Sequence, residues 1–571
     1  MANLNIDSVK ERTFDAIVIG SGMSGGWAAK ELTGKGLKTL ILERGRDVKH
    51  LKDYPTTNLY PWEFEHHGVM PKDVQEANPI INRCYAFGED AAHFFVKDAE
   101  HPYVQDKPFD WIRGYQVGGK SLMWARQTQR WSNFDFEGPA RDGFAVDWPI
   151  RYEDIAPWYS YVEKFAGISG NMDGLAELPD GEFLPAFPLN DVENYFSKHV
   201  KTHYKNRHVI SARCAHLSKP NPIHLEQGRA QCQKRTLCQR GCPFGGYFSA
   251  NSSTIPWALK SGLCTLRPFS VVESIIYDEK LGKATGVRVI DTNTKEAMEY
   301  YADVIFLSAA AINSNLVLLN STSNRFPNGL GNDSGVLGKY VAFHNYSAHM
   351  SAEYDGFLDW TTDGRNPAGG GYIPRFRNVY KQETNFLRGY AAGFSAYRKN
   401  KRSSEGIGED LKANLSNKDL GIWGVGSHMM GETIPKESSY VALDKSQKDQ
   451  WGIPLLKISV DYDDNDAKMK KDYVEQMTEM FTSAGFTNIQ AHVDTRAPGL
   501  DIHEMGGVRM GKDPKTSMLD KWHRLHACKN VYVTDGASMT STSCQNPSLT
   551  YMAFAARAVD HWVGESKKGN S

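Results

Sequence analysis

Three groups of residues in this chain could do chemistry by type and spacing. The most crowded is Cys232, Cys238 and Cys242 in CQKRTLCQRGCPFGG, a C-x5-C-x3-C-P run holding three of the eight cysteines. Structural zinc prefers four ligands arranged in C-x2-4-C knuckles. Here the first gap is five, and a fourth donor, Cys214 or His224, would have to be recruited from outside the run. A C-x-x-C redox motif is absent. Three thiolates without a fourth suit a [3Fe–4S] cluster, and Pro243 directly after Cys242 matches the C-P ending of ferredoxin runs. Spacing alone leaves iron–sulfur, zinc and plain packing open. The other five cysteines are scattered, unlike a secreted disulfide framework.

The second group is Gly20-x-Gly22-x-x-Gly25, followed eighteen residues later by Glu43. Gly20 allows a tight turn, Gly22 lets backbone approach a pyrophosphate, and Gly25 lets a helix pack on a strand. The helix N-terminus then offers free N–H groups and the positive end of its dipole to phosphates. Glu43 is placed to accept from an adenosine ribose. The motif does not by itself separate FAD from NAD. The third group lies near the C-terminus: His503 in LDIHEMGGVRMG, Asp535-Gly536 at the end of NVYVTDG, and Asn546-Pro547 before a helical stretch. Asn is a favoured N-cap and Pro suits a first helical turn, so Asn546 taken alone reads equally as a helix cap.

These residues need elements to hold them. DAIVIG reads as a short buried strand, WAAKELTG as the helix after it, and KTLILE as a second strand ending on Glu43, which together predict a βαβ dinucleotide unit. A Pro-initiated helix is expected in WPIRYEDIAPWYSYVEKFAGISG. The alternation in YVAL and LKISVDY predicts antiparallel sheet with one covered face. The fold class expected is mixed α/β. With 571 residues the chain is long enough for two domains. Balanced charge, 66 basic against 67 acidic residues, argues against bulk nucleic-acid binding or adhesion to an anionic membrane. No apolar run approaches the roughly 18 to 20 residues of a membrane span. The first twenty residues lack a basic segment, apolar stretch and small-residue cleavage site, so a cytoplasmic protein is the default unless something else exports it.

The N-terminal fingerprint, GYQVGGKSLMWARQ (114–127), IFLSAAAINSNLVLL (305–319), HEMGGVRMG and VYVTDGASMTSTSCQNPSLTYMAFAARAVD together resemble the glucose–methanol–choline (GMC) family of flavin oxidoreductases, in the right order over nearly the whole chain. The resemblance implies FAD and a discontinuous Rossmann-like FAD-binding domain over 1–145, 229–334 and 491–571. An antiparallel-sheet substrate domain would be inserted as 146–228 and 335–490. It implies that His503 is the catalytic base and Asn546 its active-site partner. It further implies that Asp535 and Gly536 approach the flavin's ribityl and phosphate region, that Gly118 and Gly119 pass over the flavin, that Val272 meets the adenine, and that Pro547 belongs to the same cofactor-facing turn. A neutral imidazole suits removal of a hydroxyl proton, and an amide can hold the oxygen and stabilise its developing charge.

The C-x5-C-x3-C spacing is similar to that of a bacterial subgroup, the iron–sulfur sugar dehydrogenases, which includes glucoside 3-dehydrogenases. That resemblance implies a [3Fe–4S] cluster on Cys232, Cys238 and Cys242, and a sugar or glycoside substrate oxidised at C3. It also implies a cytochrome c-type acceptor, a small partner subunit, and periplasmic location by co-export with that partner. Gluconate, fructose, glucose or sorbitol oxidation, and an oxygen-using oxidase with structural zinc, are the alternatives. Trp124, Gln127, His344 and Glu432 are further residues that could line a sugar site.

Overall fold

The computed structural model describes residues 12–569 apart from Ser404 and Arg496. The first eleven residues, read above for a targeting segment, lie outside the described residues, as do the last two.

The first sheet is built from β1 (Thr13–Ile19), β2 (Thr39–Leu42), β3 (Cys264–Arg267), β4 (Ser270–Asp278), β5 (Lys283–Asp291) and β6 (Ala297–Leu307), in the order β3-β2-β1-β6-β5-β4. A late strand, Val531–Val533, pairs parallel with β6. β1 lies between β2 and β6, parallel to both, with Ile19 opposite Leu42 on one side and Leu307 on the other. Strands covered on both faces read as continuous apolar runs, which is why DAIVIG, TLIL and VIFL do not alternate. β4, β5 and β6 continue the sheet as an antiparallel meander. Helix α1 (Met23–Gly34) follows β1 and buries Trp27, Ala28, Ala29 and Leu32. Helix α2 (Tyr152–Ala166) buries Ile155, Tyr159, Val162 and Phe165 in the same core as Trp27. Read in the sequence as part of the inserted region, α2 packs instead on this first layer. Tyr161 Oη meets Lys30 Nζ at 2.7 Å, and Phe165 stands edge-on to Trp27.

The second sheet is antiparallel. It contains β7 (His344–Asn345), β8 (Ala348–Tyr354), β9 (Gly371–Ile373), β10 (Tyr390–Asn400), β11 (Leu420–Glu432) and β12 (Thr487–Val493). Its order is β12-β8-β11-β10-β9, with Ile210–Ser211 beyond β9 and β7 paired to the end of β11. Ala392, Phe394 and Ala396 of β10 face a core completed by helix α3 (Asp464–Ser483), whose Met469, Tyr473, Met477, Met480 and Phe481 form a stripe at helical spacing. The intervening residues Gly393, Ser395 and Tyr397 therefore point the other way, and they line a cavity between the sheets. Val104–Gln105, far away in sequence, joins Pro454–Ser459 in a small third sheet.

A buried ionic network ties the two layers. Arg375 reaches Asp135 and Glu432, each at 2.9 Å, and Arg388 reaches Glu432 at 3.0 Å and Asp142 at 2.9 Å. Glu432 is thus held by two arginines rather than offered to a sugar. Helix α4 (Ser548–Ser566) closes the first layer against α1 and α2, with Thr550 Oγ1 2.8 Å from Tyr159 Oη.

Candidate active site

The glycine loop behaves as its spacing requires. Gly20 has φ +94°, and a side chain there would strike the Ser308 carbonyl. A Cβ on Gly25 would lie 1.9 Å from the Gly20 carbonyl oxygen, so this glycine brings α1 onto β1 and does not itself face the cavity. Gly22 has open space beside it, and no side chain caps the N-terminus of α1. The first N–H groups of the helix are left for a ligand. Glu43 is buried and already accepts from Ser21 Oγ (2.6 Å), Ser21 N (3.2 Å) and Gly45 N (3.0 Å). Burial pushes its carboxyl up, against these hydrogen bonds. Gly118, at φ +88°, donates its N–H to Ser21 Oγ at 3.0 Å. It lies behind Gly119, which lines the cavity while Gly118 does not.

That cavity measures about 730 Å³. Gly20 to Ser24, Glu43, Gly119 and Val272 line it, and so do Asp535, Gly536, His503 and Asn546. Trp124 and Gln127 line it as well. Asp535 accepts from Ser314 Oγ at 2.5 Å and Ala537 N at 2.9 Å, and burial raises its carboxyl to about 6. Tyr551 Oη and Glu504 Oε1, both on cavity-lining residues, are buried without a hydrogen-bond partner among the described residues. A long, open cleft with an uncapped helix end, an acid beside the glycine loop and unpartnered polar atoms fits a dinucleotide such as FAD.

Asn546 is not a helix cap. The capping position of α4 is Pro547, which is not part of the cavity wall, and the Asn546 side chain turns toward His503 with Nδ2 3.3 Å from Nε2. His503 sits in the loop Asp501–Glu504, held by its N–H to Asp501 Oδ2 at 3.2 Å. Its ring nitrogen Nδ1 is 2.9 Å from His344 Nδ1. Burial drives the His503 imidazole well below its usual range, with His344 and Lys120 pushing the same way. It is therefore neutral at ordinary pH, the form a base needs. His344, which the sequence left as a candidate sugar contact, is fully buried behind His503 and not on the cavity wall. Its role is legible only from the structure. Neighbouring Glu504 pairs with Lys120 at 2.8 Å.

The cysteine run forms a loop with non-glycine residues Lys234 and Thr236 at positive φ, flanked by Gly241 at +80° and Gly245 at +58°. All three thiols are half-buried and free of disulfides. Gly246 N donates to Cys242 Sγ at 3.3 Å, and His216 Nε2 lies 3.7 Å from Cys238 Sγ. His216 was not anticipated; a lone histidine in ARCAHLS carries no signal. His224 is spoken for by Lys164 O (3.0 Å) and Asn221 N (3.0 Å), and Cys214 is buried against Ser169, its thiol pushed up to about 12 by burial. Around one zinc ion, with bonds of about 2.3 Å, sulfurs stand roughly 3.8 Å apart. Among the described residues the only His, Cys, Asp or Glu trio with donor atoms all within 4.8 Å is His344, Asp501 and His503, which hydrogen bonds already explain. The three thiols are spread more widely than that, and the Gly246 N–H points at Cys242 Sγ. Thr236, Cys238 and Gln239 line the main cavity, so the loop borders the space that holds His503.

Fold and site together define a flavin-dependent oxidoreductase acting on CH–OH groups. Profiles described as GMC oxidoreductase match residues 14–344 and 435–555, and the chain belongs to that family. It is 28% identical to 2-methyl-1,2-propanediol dehydrogenase of Mycolicibacterium austroafricanum, over 96% of this chain and 94% of that one. It is 25% identical to the fructose dehydrogenase large subunit of Gluconobacter japonicus (97% and 98%) and 25% identical to paromamine 6'-oxidase of Streptomyces fradiae (97% and 92%).

Proposed function

We propose that this chain is a sugar dehydrogenase that oxidises a secondary hydroxyl, the C3 hydroxyl of a glucoside or disaccharide, to the ketone, its electrons leaving through a [3Fe–4S] cluster on Cys232, Cys238 and Cys242. The observation that carries this reading is the single cavity shared by the glycine loop, by His503 with Asn546, and by Cys238. His503 Nε2 takes the hydroxyl proton. Asn546 Nδ2, 3.3 Å away, holds the substrate oxygen and stabilises its developing charge. FAD bound along Gly20 to Glu43 would supply the hydride acceptor. Tyr346, Arg365, Asn366, Tyr397 and His428 give the rest of the cavity a polar, aromatic lining suited to a polyhydroxylated substrate. Relatives named for a diol, fructose and gluconate support that class.

The proposal includes a one-electron protein acceptor of cytochrome c type. It also includes a small partner subunit that carries the folded chain to the periplasm; without such a partner the chain stays in the cytoplasm. The name "large subunit" of one relative supports a multi-subunit assembly. A second reading, an oxygen-using oxidase, is favoured by the similarity to paromamine 6'-oxidase. An absorbance spectrum with metal analysis separates the two. Flavin bands with a broad long-wavelength shoulder and about three irons per chain support the dehydrogenase. Flavin alone, with zinc and rapid peroxide formation, sinks it. Product analysis on methyl α-glucoside, fructose and gluconate then fixes the position oxidised.

A further inference from the structure

The contact between His503 and His344 joins two rings through the same atom of each, Nδ1 to Nδ1, at 2.9 Å. His344 is fully buried, and His503 is half-buried on the cavity wall. Burial holds His503 well below the usual range and brings His344 down to about 3, with Arg375 adding to the effect on His344 and Lys120 to that on His503. Each ring then carries one proton, and a bond at 2.9 Å between two such nitrogens contains one hydrogen. Two arrangements are open. If His344 donates, the His503 proton sits on Nε2, where it meets the Asn546 amide as donor against donor and leaves no lone pair for a substrate hydroxyl. If His503 donates from Nδ1, its Nε2 keeps the lone pair, accepts from Asn546 Nδ2 at 3.3 Å, and faces the cavity as a base.

The Asn546 contact favours the second arrangement over the first, and the cost falls on His344. Its proton must then sit on Nε2, which is buried without a hydrogen-bond partner among the described residues. The Ser543 backbone favours a proton on the His344 ring, opposing the effect of burial. The backbone fixes the pair in place. The Asp501 carboxylate takes the His344 N–H at 2.9 Å and the His503 N–H at 3.2 Å through the same Oδ2. Residues 344 and 503 come from distant segments, and one carboxylate oxygen holds both main chains while the rings meet edge to face.

We propose that His344 is the positioning residue for the base: its Nδ1 accepts from His503 Nδ1–H, fixes His503 in the tautomer with Nε2 free, and stabilises the imidazolium formed when the substrate O–H bond breaks and the proton moves to Nε2. This rests on the reading of His503 as base. The test is anaerobic rapid mixing of the FAD-loaded enzyme with whichever of methyl α-glucoside, fructose or gluconate reduces the wild-type flavin fastest, comparing wild type, His503→Ala, His344→Leu and His344→Gln. Leu removes the acceptor; Gln restores one through its amide oxygen. Since a wrong tautomer costs a catalytic histidine up to about 10⁴-fold, His344→Leu is expected to slow flavin reduction at least about 100-fold with FAD content unchanged. His344→Gln should stay within about tenfold of wild type. A His344→Leu rate near wild type, or a His344→Gln rate as slow as the Leu variant, overturns the proposal. If His503→Ala reduces flavin at the wild-type rate, the base reading falls first; if it does not, only the tautomer proposal is at stake in the His344 variants. A second measurement needs no His344 variant. In ¹⁵N-histidine NMR, the signals lost in His503→Ala should show a protonated Nδ1 and an unprotonated Nε2; the opposite pattern overturns the proposal.

Discussion

Replacing Asn546 with Ala separates a catalytic amide from a structural one. The Asn546 side chain makes one described hydrogen bond, to His503 at 3.3 Å, and caps no helix. Its removal should therefore cost about 1 kcal/mol of stability, the worth of one ordinary hydrogen bond. On the reaction the expected loss is larger. A donor aimed at an oxygen that gains charge only in the transition state contributes about 2.7–4 kcal/mol, or 10²–10³ in rate. Because the neutral hydroxyl gains little from the same donor, the loss belongs to the limiting rate of flavin reduction and leaves KM nearly unchanged. Anaerobic stopped-flow bleaching of the flavin, read beside FAD content and a thermal melt, measures all three. Asn546→Asp, which cannot donate and adds negative charge beside the oxygen, should be at least as slow. A reduction rate within about threefold of wild type, or a defect confined to KM, would refute the role given to this amide.

Other outcomes follow from the same geometry. Gly25→Ala drives a methyl into the Gly20 carbonyl, so the protein should purify depleted of FAD, seen as a lowered flavin-to-protein absorbance ratio. Cys238→Ser should lower iron per chain and slow reoxidation by a one-electron acceptor while flavin reduction by sugar keeps its rate, since the thiol borders the cavity without touching His503 or Asn546 in the described contacts. Glu432→Gln removes the carboxylate the two buried arginines share, leaving Asp135 on Arg375 and Asp142 on Arg388, and breaking a buried pair costs about 3–5 kcal/mol; the melting temperature should fall clearly. Glu193, buried at the start of Asp191–His203, is raised to about 7, chiefly by burial. An unfolded chain releases this proton near pH 4.5 while the folded one keeps it to about 7. The group's contribution to stability therefore falls as pH rises through that window, by up to about 1.4 kcal/mol per unit. Glu193→Gln should flatten that fall in denaturant midpoints measured from pH 5 to 7.

The parts of the site readable from sequence are those whose logic is local. Gly20, Gly22, Gly25 and Glu43 report one strand, turn, helix and strand; Gly20 and Gly25 each meet in space the constraint their spacing implies, and Gly22 stands beside open space. The alternation in YVAL and LKISVDY marks two segments that do pair as antiparallel strands. What escaped was set by distance along the chain. His344 lies in VAFHNYS, a stretch with no motif, and acquires meaning only by meeting a ring 159 positions away. Glu432 looked like a sugar contact because carboxylates often are; two buried arginines from other segments claim it. His216 gains interest only because the fold brings it to Cys238. α2 was assigned to the inserted region by its place in the sequence, whereas its apolar stripe matched the core around Trp27.

The pairing of β6 with Val531–Val533 has a consequence for how this protein is made. The end of β6 takes its partner on one side from one of the last segments of the chain, and His503 and Asn546 flank that segment. On the ribosome the glycine loop emerges first and the groups assigned to proton removal last. A nascent or truncated chain can therefore carry half a cofactor cradle but no working site. Long-range parallel pairing of this kind also folds slowly. Ligand present at that stage would bind the completed fold alone and draw the last strand into place.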